Sequence, residues 1–192
     1  FGDEIRSFLG MADPEGYELP YTIDRFVSRE YLFFYIYYIV CVVIFGVFWA
    51  LYSPHPWNTW SIFGSALIIF IIYYSVQIDV ALNEWRGPFF DLVQRAFAPA
   101  PAGTISEGEV YGFIWIFTTI ATMSVILGVF TSFFISHWIF RWRTAMNNYF
   151  VSYWPRLRRV EGASQRVQED TMRFAGTMEG LGVSLIGSVM TL

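Results

Sequence analysis

From Val110 to Phe140 the chain runs 31 residues without a formal charge, with His137 neutral. A helix rises about 1.5 Å per residue and the hydrocarbon layer is about 30 Å deep, so roughly twenty apolar residues cross it. This run exceeds that and must tilt or continue into water. Two more runs have the same character. Leu32 to Tyr52 is 21 residues without a charge, and Trp60 to Leu82 carries only Asp79. Phe174 to Leu192 reads as the start of a further span. Charged residues make up 15% of the chain, against about 25% in soluble domains. The expectation is an all-α membrane protein, a multi-span helical bundle, with spans at about 32–52, 60–82, 110–140 continuing to about 153, and 174–192 cut short by the chain end.

The connecting segments are polar. Residues 1–30 are acidic, net −4, and broken by Gly10, Pro14, Gly16 and Pro20. They read as an extramembrane loop with a short helix near 22–30. Ser53-Pro54-His55-Pro56 reads as a turn, because neither proline donates a backbone hydrogen bond. Residues 83–109 read as a loop of net charge −2, and the proline-rich Ala98 to Gly103 excludes a membrane helix there. Residues 156–173 are polar and helical in pattern. With Phe1 in place of Met, the chain reads as an internal fragment.

All 12 basic residues are arginine. Seven of them fall within 141–173, against three acids. Arg-rich membrane loops stay in the cytoplasm, so 141–173 is expected inside, and both 1–30 and 83–109 outside. Three crossings between Glu30 and Arg141 satisfy that alternation. A net charge of −4 argues against a nucleic-acid partner, which needs a basic face. With no lysine, a Gly-x-x-x-x-Gly-Lys phosphate loop is excluded. There is no Gly-x-Ser-x-Gly elbow, and no enzyme activity or cofactor is expected. Cys41, the one cysteine, reads as a small core hydrophobe. His55 and His137 lack a second ligand at metal spacing.

Glu179 is the most informative residue, a carboxylate among Gly176, Gly180 and Gly182 in an apolar segment. Such a group costs about 2.5–3.5 kcal/mol near the bilayer centre on insertion scales, so it should face a cavity or a partner helix. A carboxyl group shielded from water favours its neutral form, as a proton carrier requires. The competing reading places Glu179 close enough to the interface to reach water. Glu161 lies 18 residues earlier, five ideal turns and about 27 Å away on the same face if the helix is unbroken. Gln165, Gln168, Met172 and Ala175 fall near that face, and Gly162 is a point where it could kink. In Gln165-Arg166-Val167-Gln168-Glu169-Asp170, Glu169 precedes Arg173 by four residues, the favourable order for an ion pair, and Arg166 can reach Glu169 or Asp170. These residues read either as a gate or proton relay at the cytoplasmic mouth, or as a solvated ion-paired surface. Gly176, Gly180, Ser184 and Ser188 recur every four residues, a helix-packing stripe. Trp85, Pro88 and Asp91 are candidates for an acidic peptide entrance, with plain solvated surface as the alternative.

Several stretches resemble the SbmA/BacA family of inner-membrane peptide transporters. They are Tyr52-Ser-Pro-His-Pro-Trp57, Ser61-Ile-Phe-Gly-Ser-Ala-Leu-Ile-Ile-Phe70, Asn83 with Trp85, and Pro88-Phe-Phe-Asp-Leu92. The two longest are Ser136-His-Trp-Ile-Phe-Arg-Trp-Arg-Thr-Ala-Met-Asn147 and Val160-Glu-Gly-Ala-Ser-Gln-Arg-Val-Gln-Glu-Asp-Thr-Met-Arg-Phe174. The resemblance covers about 31–192 as part of one transmembrane domain and excludes 1–30. Pro56 stands where the family is expected to have arginine, and Asp79 and Glu84 also depart from its pattern. The resemblance implies a homodimer in the Gram-negative inner membrane, arranged like the membrane domain of ATP-binding-cassette exporters but without an ATPase. It implies proton-driven import of peptides, including proline-rich, microcin and bleomycin-type antibiotics and, in symbiosis, host defence peptides. A glutamate ladder for proton coupling is also implied, which here would be Glu161, Glu169 and Glu179. A first membrane helix and a C-terminal portion are expected outside this chain. Expected partners are peptide substrates, the lipid bilayer and a second copy, with no nucleotide. Two alternatives stand beside this reading: the membrane domain of an ATP-driven transporter with its ATPase downstream, and an envelope protein supporting lipid modification.

Overall fold

Apolar runs bounded by proline-containing turns leave the backbone one economical way to satisfy its hydrogen bonds in lipid, which is within helices. The computed structural model describes residues 2–11, 19–98 and 105–191. Among these it contains helices and connecting turns but no strand. The helices are α1 (Gly2–Phe8), a 3-10 turn (Ile23–Val27), α2 (Arg29–Tyr52), α3 (Asn58–Phe97), α4 (Glu107–Ser152), α5 (Trp154–Leu157) and α6 (Ala163–Met190). Three of them, α2, α3 and α4, are long and apolar enough to cross a membrane. The chain is a membrane protein.

The structure corrects several sequence expectations. Residues 83–97 are not loop: α3 continues without interruption from Asn58 to Phe97, through Pro88. Proline inside a helix removes one backbone hydrogen bond, and the remaining turns hold. At about 1.5 Å per residue, forty residues reach roughly 60 Å, twice the hydrocarbon depth, so α3 is long enough to extend beyond the bilayer. Residues 1–30 contain α1, tied to the start of α2 by Arg6–Glu30 at 3.5 Å. The helix expected near 22–30 is a single 3-10 turn, after which α2 begins at Arg29. The long helix expected over 110–153 is present as α4. Cys41 is exposed on α2 rather than in a core. Asp13, Glu15, Glu18, residues 99–104 and Leu192 lie outside the described residues.

Two compact units divide the chain. The first comprises residues 1–45 and 77–126. Its core is Phe26, Tyr31, Ile78, Ala81, Trp85, Leu92 and Ile120. The second comprises residues 46–76 and 127–192. There α3 approaches two neighbours through glycines: a Cβ on Gly46 would lie 3.1 Å from Phe63, and one on Gly64 would lie 3.1 Å from Trp138. The packed face of α6 is the row Ala163, Val167, Thr171 and Ala175, continuing through Glu179, Gly182 and Ile186. This i, i+4 and i+3 progression is what a helix stripe facing a core requires.

Candidate functional site

Glu179 sits on that packed face, half-buried, and borders a cavity of about 150 Å³ in the second unit. From α3 come Ser65, Ile68 and Ile69; from α4, Ile135, Trp138, Ile139 and Trp142; and from α6, Met178, Gly182, Val183 and Ile186. Apart from Glu179 and the Ser65 hydroxyl, the named side chains carry no oxygen. The reason lies in local sequence. Gly64 lets Trp138 come close to α3, while Ala175 and Gly182 keep the turns on either side of Glu179 slim. No described residue donates a hydrogen bond to the carboxylate.

Trp138 and Trp142 are the wall of a second opening. Their rings lie 4.9 Å apart, and Trp142 also meets Phe174 at 5.6 Å. Beyond them is a cleft of about 390 Å³ bordered by His55, Trp57, Trp60, Ser61, Arg141, Ala145, Asn148 and Tyr149. Arg141 lies over the Trp60 ring, 5.2 Å from its centroid, and His137 meets the same indole edge-on at 5.3 Å. Sequence reading passed over this cleft because Trp57, Trp60, Trp138 and Trp142 are far apart along the chain. Their only shared signal is position at the ends of apolar runs.

The other expected site residues are distributed differently. Glu161 is not on α6. Gly162 adopts φ +72° and the helix starts at Ala163, so the 161–179 register is broken. The left-handed conformation is cheap for glycine and ends helical continuity. Gln165, Gln168 and Met172 are exposed, and only Ala175 of the supposed track is buried. Glu169 accepts a hydrogen bond from Gln165 Nε2 at 3.0 Å. Among the described residues neither Arg166 nor Arg173 forms an ion pair with Glu169 or Asp170. All four charged groups are exposed, where hydration competes with pairing. Arg166 and Asp170 border a hollow of about 210 Å³ together with Leu157 and Val160. The stripe Gly176, Gly180, Ser184 and Ser188 is exposed, and a Cβ added at either glycine meets nothing within 4 Å. The stripe therefore packs on nothing in the described chain.

Trp85 is not an open entrance residue either. It is 8% exposed, donates Nε1–H to the Phe113 carbonyl at 3.1 Å and stacks on Phe89 at 4.6 Å. An indole satisfied in this way belongs to the core. Pro88 is half-buried and Asp91 exposed.

The first unit holds a polar cluster that the sequence reading missed. The Arg25 guanidinium meets Glu84 Oε2 at 2.5 Å and lies 6.0 Å from the Tyr31 ring centroid. The Tyr31 hydroxyl donates to Gln77 Oε1 at 2.7 Å. Arg25 Nε is buried and has no acceptor among the described residues. The available signal was that Glu84 departs from the expected family pattern and that Arg25 is one of three arginines in the net-acidic segment 1–30.

Residues 54–192, 139 of the 192 positions, match the model of the SbmA/BacA-like family, beginning just after α2.

Proposed function

The chain belongs to the SbmA/BacA-like family, and on that premise we propose that it forms part of an importer of peptides and peptide-like antibiotics driven by the proton gradient. The observation that carries this reading is Glu179, set in an apolar cavity bordered by α3, α4 and α6 within the region that matches the family. In the proposed cycle the Glu179 carboxyl takes a proton in one conformation and releases it in another, which biases an alternating-access equilibrium. Residues 141–173 face the cytoplasm, 1–30 and 83–109 the periplasm, and the protein works in a Gram-negative inner membrane as a homodimer. Its helices are arranged as in exporter membrane domains. The region from Phe174 onward enters the membrane as a fourth span, which brings Glu179 into the hydrocarbon. Glu169, Gln165, Arg166, Asp170 and Arg173 lie at the cytoplasmic mouth, where Glu169 passes protons onward. Glu161, in the turn before α6, is a member of the same chain of carboxylates only through solvent. Gly176, Gly180, Ser184 and Ser188 face the second copy.

Uptake of a labelled cationic peptide by cells or proteoliposomes under an imposed pH gradient tests the reading. Glu179→Gln keeps the size and polarity of the side chain but cannot exchange the proton. It is expected to abolish gradient-driven uptake with unchanged expression and helix content. Wild-type uptake by the mutant would remove Glu179 from the mechanism.

A further inference from the structure

The cleft behind Trp138 and Trp142 is lined by four tryptophans and one arginine beside His55, Ser61, Asn148 and Tyr149. Trp57, Trp60, Trp138 and Trp142 border it, and none of their indole N–H groups donates a hydrogen bond to a described residue. Arg141 adds a fixed positive charge that forms no ion pair among the described residues. The lining contains no Asp or Glu. Trp60 and Ser61 belong to the first turn of α3, the positive end of a helix dipole that favours anions. This electrostatic sign suits an anion and opposes a cationic peptide.

Position narrows the ligand further. Arg141 is the first charge after the uncharged run 110–140, and Trp60 lies in the first turn of α3, just after the turn that joins it to α2. Both therefore stand at a membrane–water boundary, where tryptophan and arginine concentrate. An anion that also presents an apolar body to aromatic walls at that depth is a phospholipid.

We propose that this cleft binds the headgroup of an anionic phospholipid. The phosphodiester sits on Arg141 and the indole N–H groups, and the first methylenes lie against Trp138 and Trp142. About 390 Å³ falls within the range of small-molecule sites. Because Trp138 and Trp142 also wall the Glu179 cavity, a lipid seated here would fix the position of that wall. The proposal rests on the membrane reading of α3 and α4 and is independent of proton coupling.

The test is native mass spectrometry of the full chain in detergent, titrated with an equimolar mixture of dioleoyl phosphatidylglycerol and dioleoyl phosphatidylcholine. Wild type is expected to retain phosphatidylglycerol preferentially. An arginine near an anionic headgroup contributes about 1 kcal/mol, a factor of about five, so Arg141→Gln should lower the phosphatidylglycerol-to-phosphatidylcholine ratio about five-fold. Arg141→Lys should keep most of the preference. Arg143→Gln, on a residue that lines a different cleft, should leave the ratio within two-fold. An equal fall for Arg143→Gln would mean diffuse surface charge and overturn the site. Displacement of the lipid by millimolar inorganic phosphate would make it a free-anion site and overturn the lipid reading. An Arg141→Gln protein with an intact lipid ratio but impaired uptake of a labelled peptide would assign the cleft to peptide instead.

Discussion

At the scale of single residues, Arg25 and Glu84 share an ion pair but not an environment. The Arg25 side chain is 3% exposed and the Glu84 side chain 44%. Removing the carboxylate strands a guanidinium that cannot lose its charge and has little water to turn to. Breaking a buried pair in this way costs about 3 kcal/mol. Removing the arginine leaves a carboxylate that rehydrates, at a cost closer to 1 kcal/mol. We expect Glu84→Ala to lower the thermal unfolding midpoint in detergent more than Arg25→Met does, and the double mutant to recover part of the loss. Equal losses for the two single mutants would refute the asymmetry. The Gly64 contact has a comparable logic. A valine there meets the Trp138 ring, and overpacking costs about 1–3 kcal/mol. Gly64→Val should lower the midpoint and shift indole fluorescence, whereas Gly128→Ala, where an added Cβ meets nothing within 4 Å, should do neither.

At the scale of elements, residues 158–162 separate α5 from α6, and the last of them, Gly162, has a left-handed backbone. Gly162 at φ +72° holds a conformation that costs an L-residue about 1–2 kcal/mol. Gly162→Ala is expected to destabilise the protein by about 1 kcal/mol, read as a lower denaturation midpoint, while Gly112→Ala, in an open helical position, stays near wild type. No effect at Gly162 would mean that the turn relaxes into a continuous helix. In that case Glu161 would join the register of Glu179 after all. The outcome therefore bears on whether the two carboxylates move as one body. The length of α3 makes a related point. The sequence reads as loop over 83–109, but the helix runs through Pro88 to Phe97, with Trp85 and Leu92 on either side of the proline anchored in the first unit's core.

At the scale of the molecule, three apolar helices and an arginine-rich segment set a topology that labelling can check. In a Cys41→Ser background, single cysteines placed at exposed positions Arg158 and Asp91 should react with a membrane-impermeant maleimide from opposite faces. The residue 158 site should be reached only in inverted vesicles and the residue 91 site in intact spheroplasts. Labelling of both from the same face would require a different number of crossings. The exposed small-residue stripe on α6 also belongs to this scale, since the proposed homodimer gives it a surface to pack against.

The sequence by itself determined the helical class, the three apolar spans, the long α4 and the family, because hydrophobic run length and residue identity are local properties that lipid as a solvent turns directly into structure. Which side chains meet was decided only by the tertiary structure. Trp85 was drawn into a core, Glu161 was cut from the face of Glu179 by a single left-handed glycine, and Arg25 found Glu84 across 59 positions. Four tryptophans scattered over two helices and a turn came together beside one arginine. Such meetings depend on how helix faces are rotated and seated against each other. That choice is made by close packing at residues such as Gly64 and Ala175, and it leaves little trace in the order of the residues along the chain.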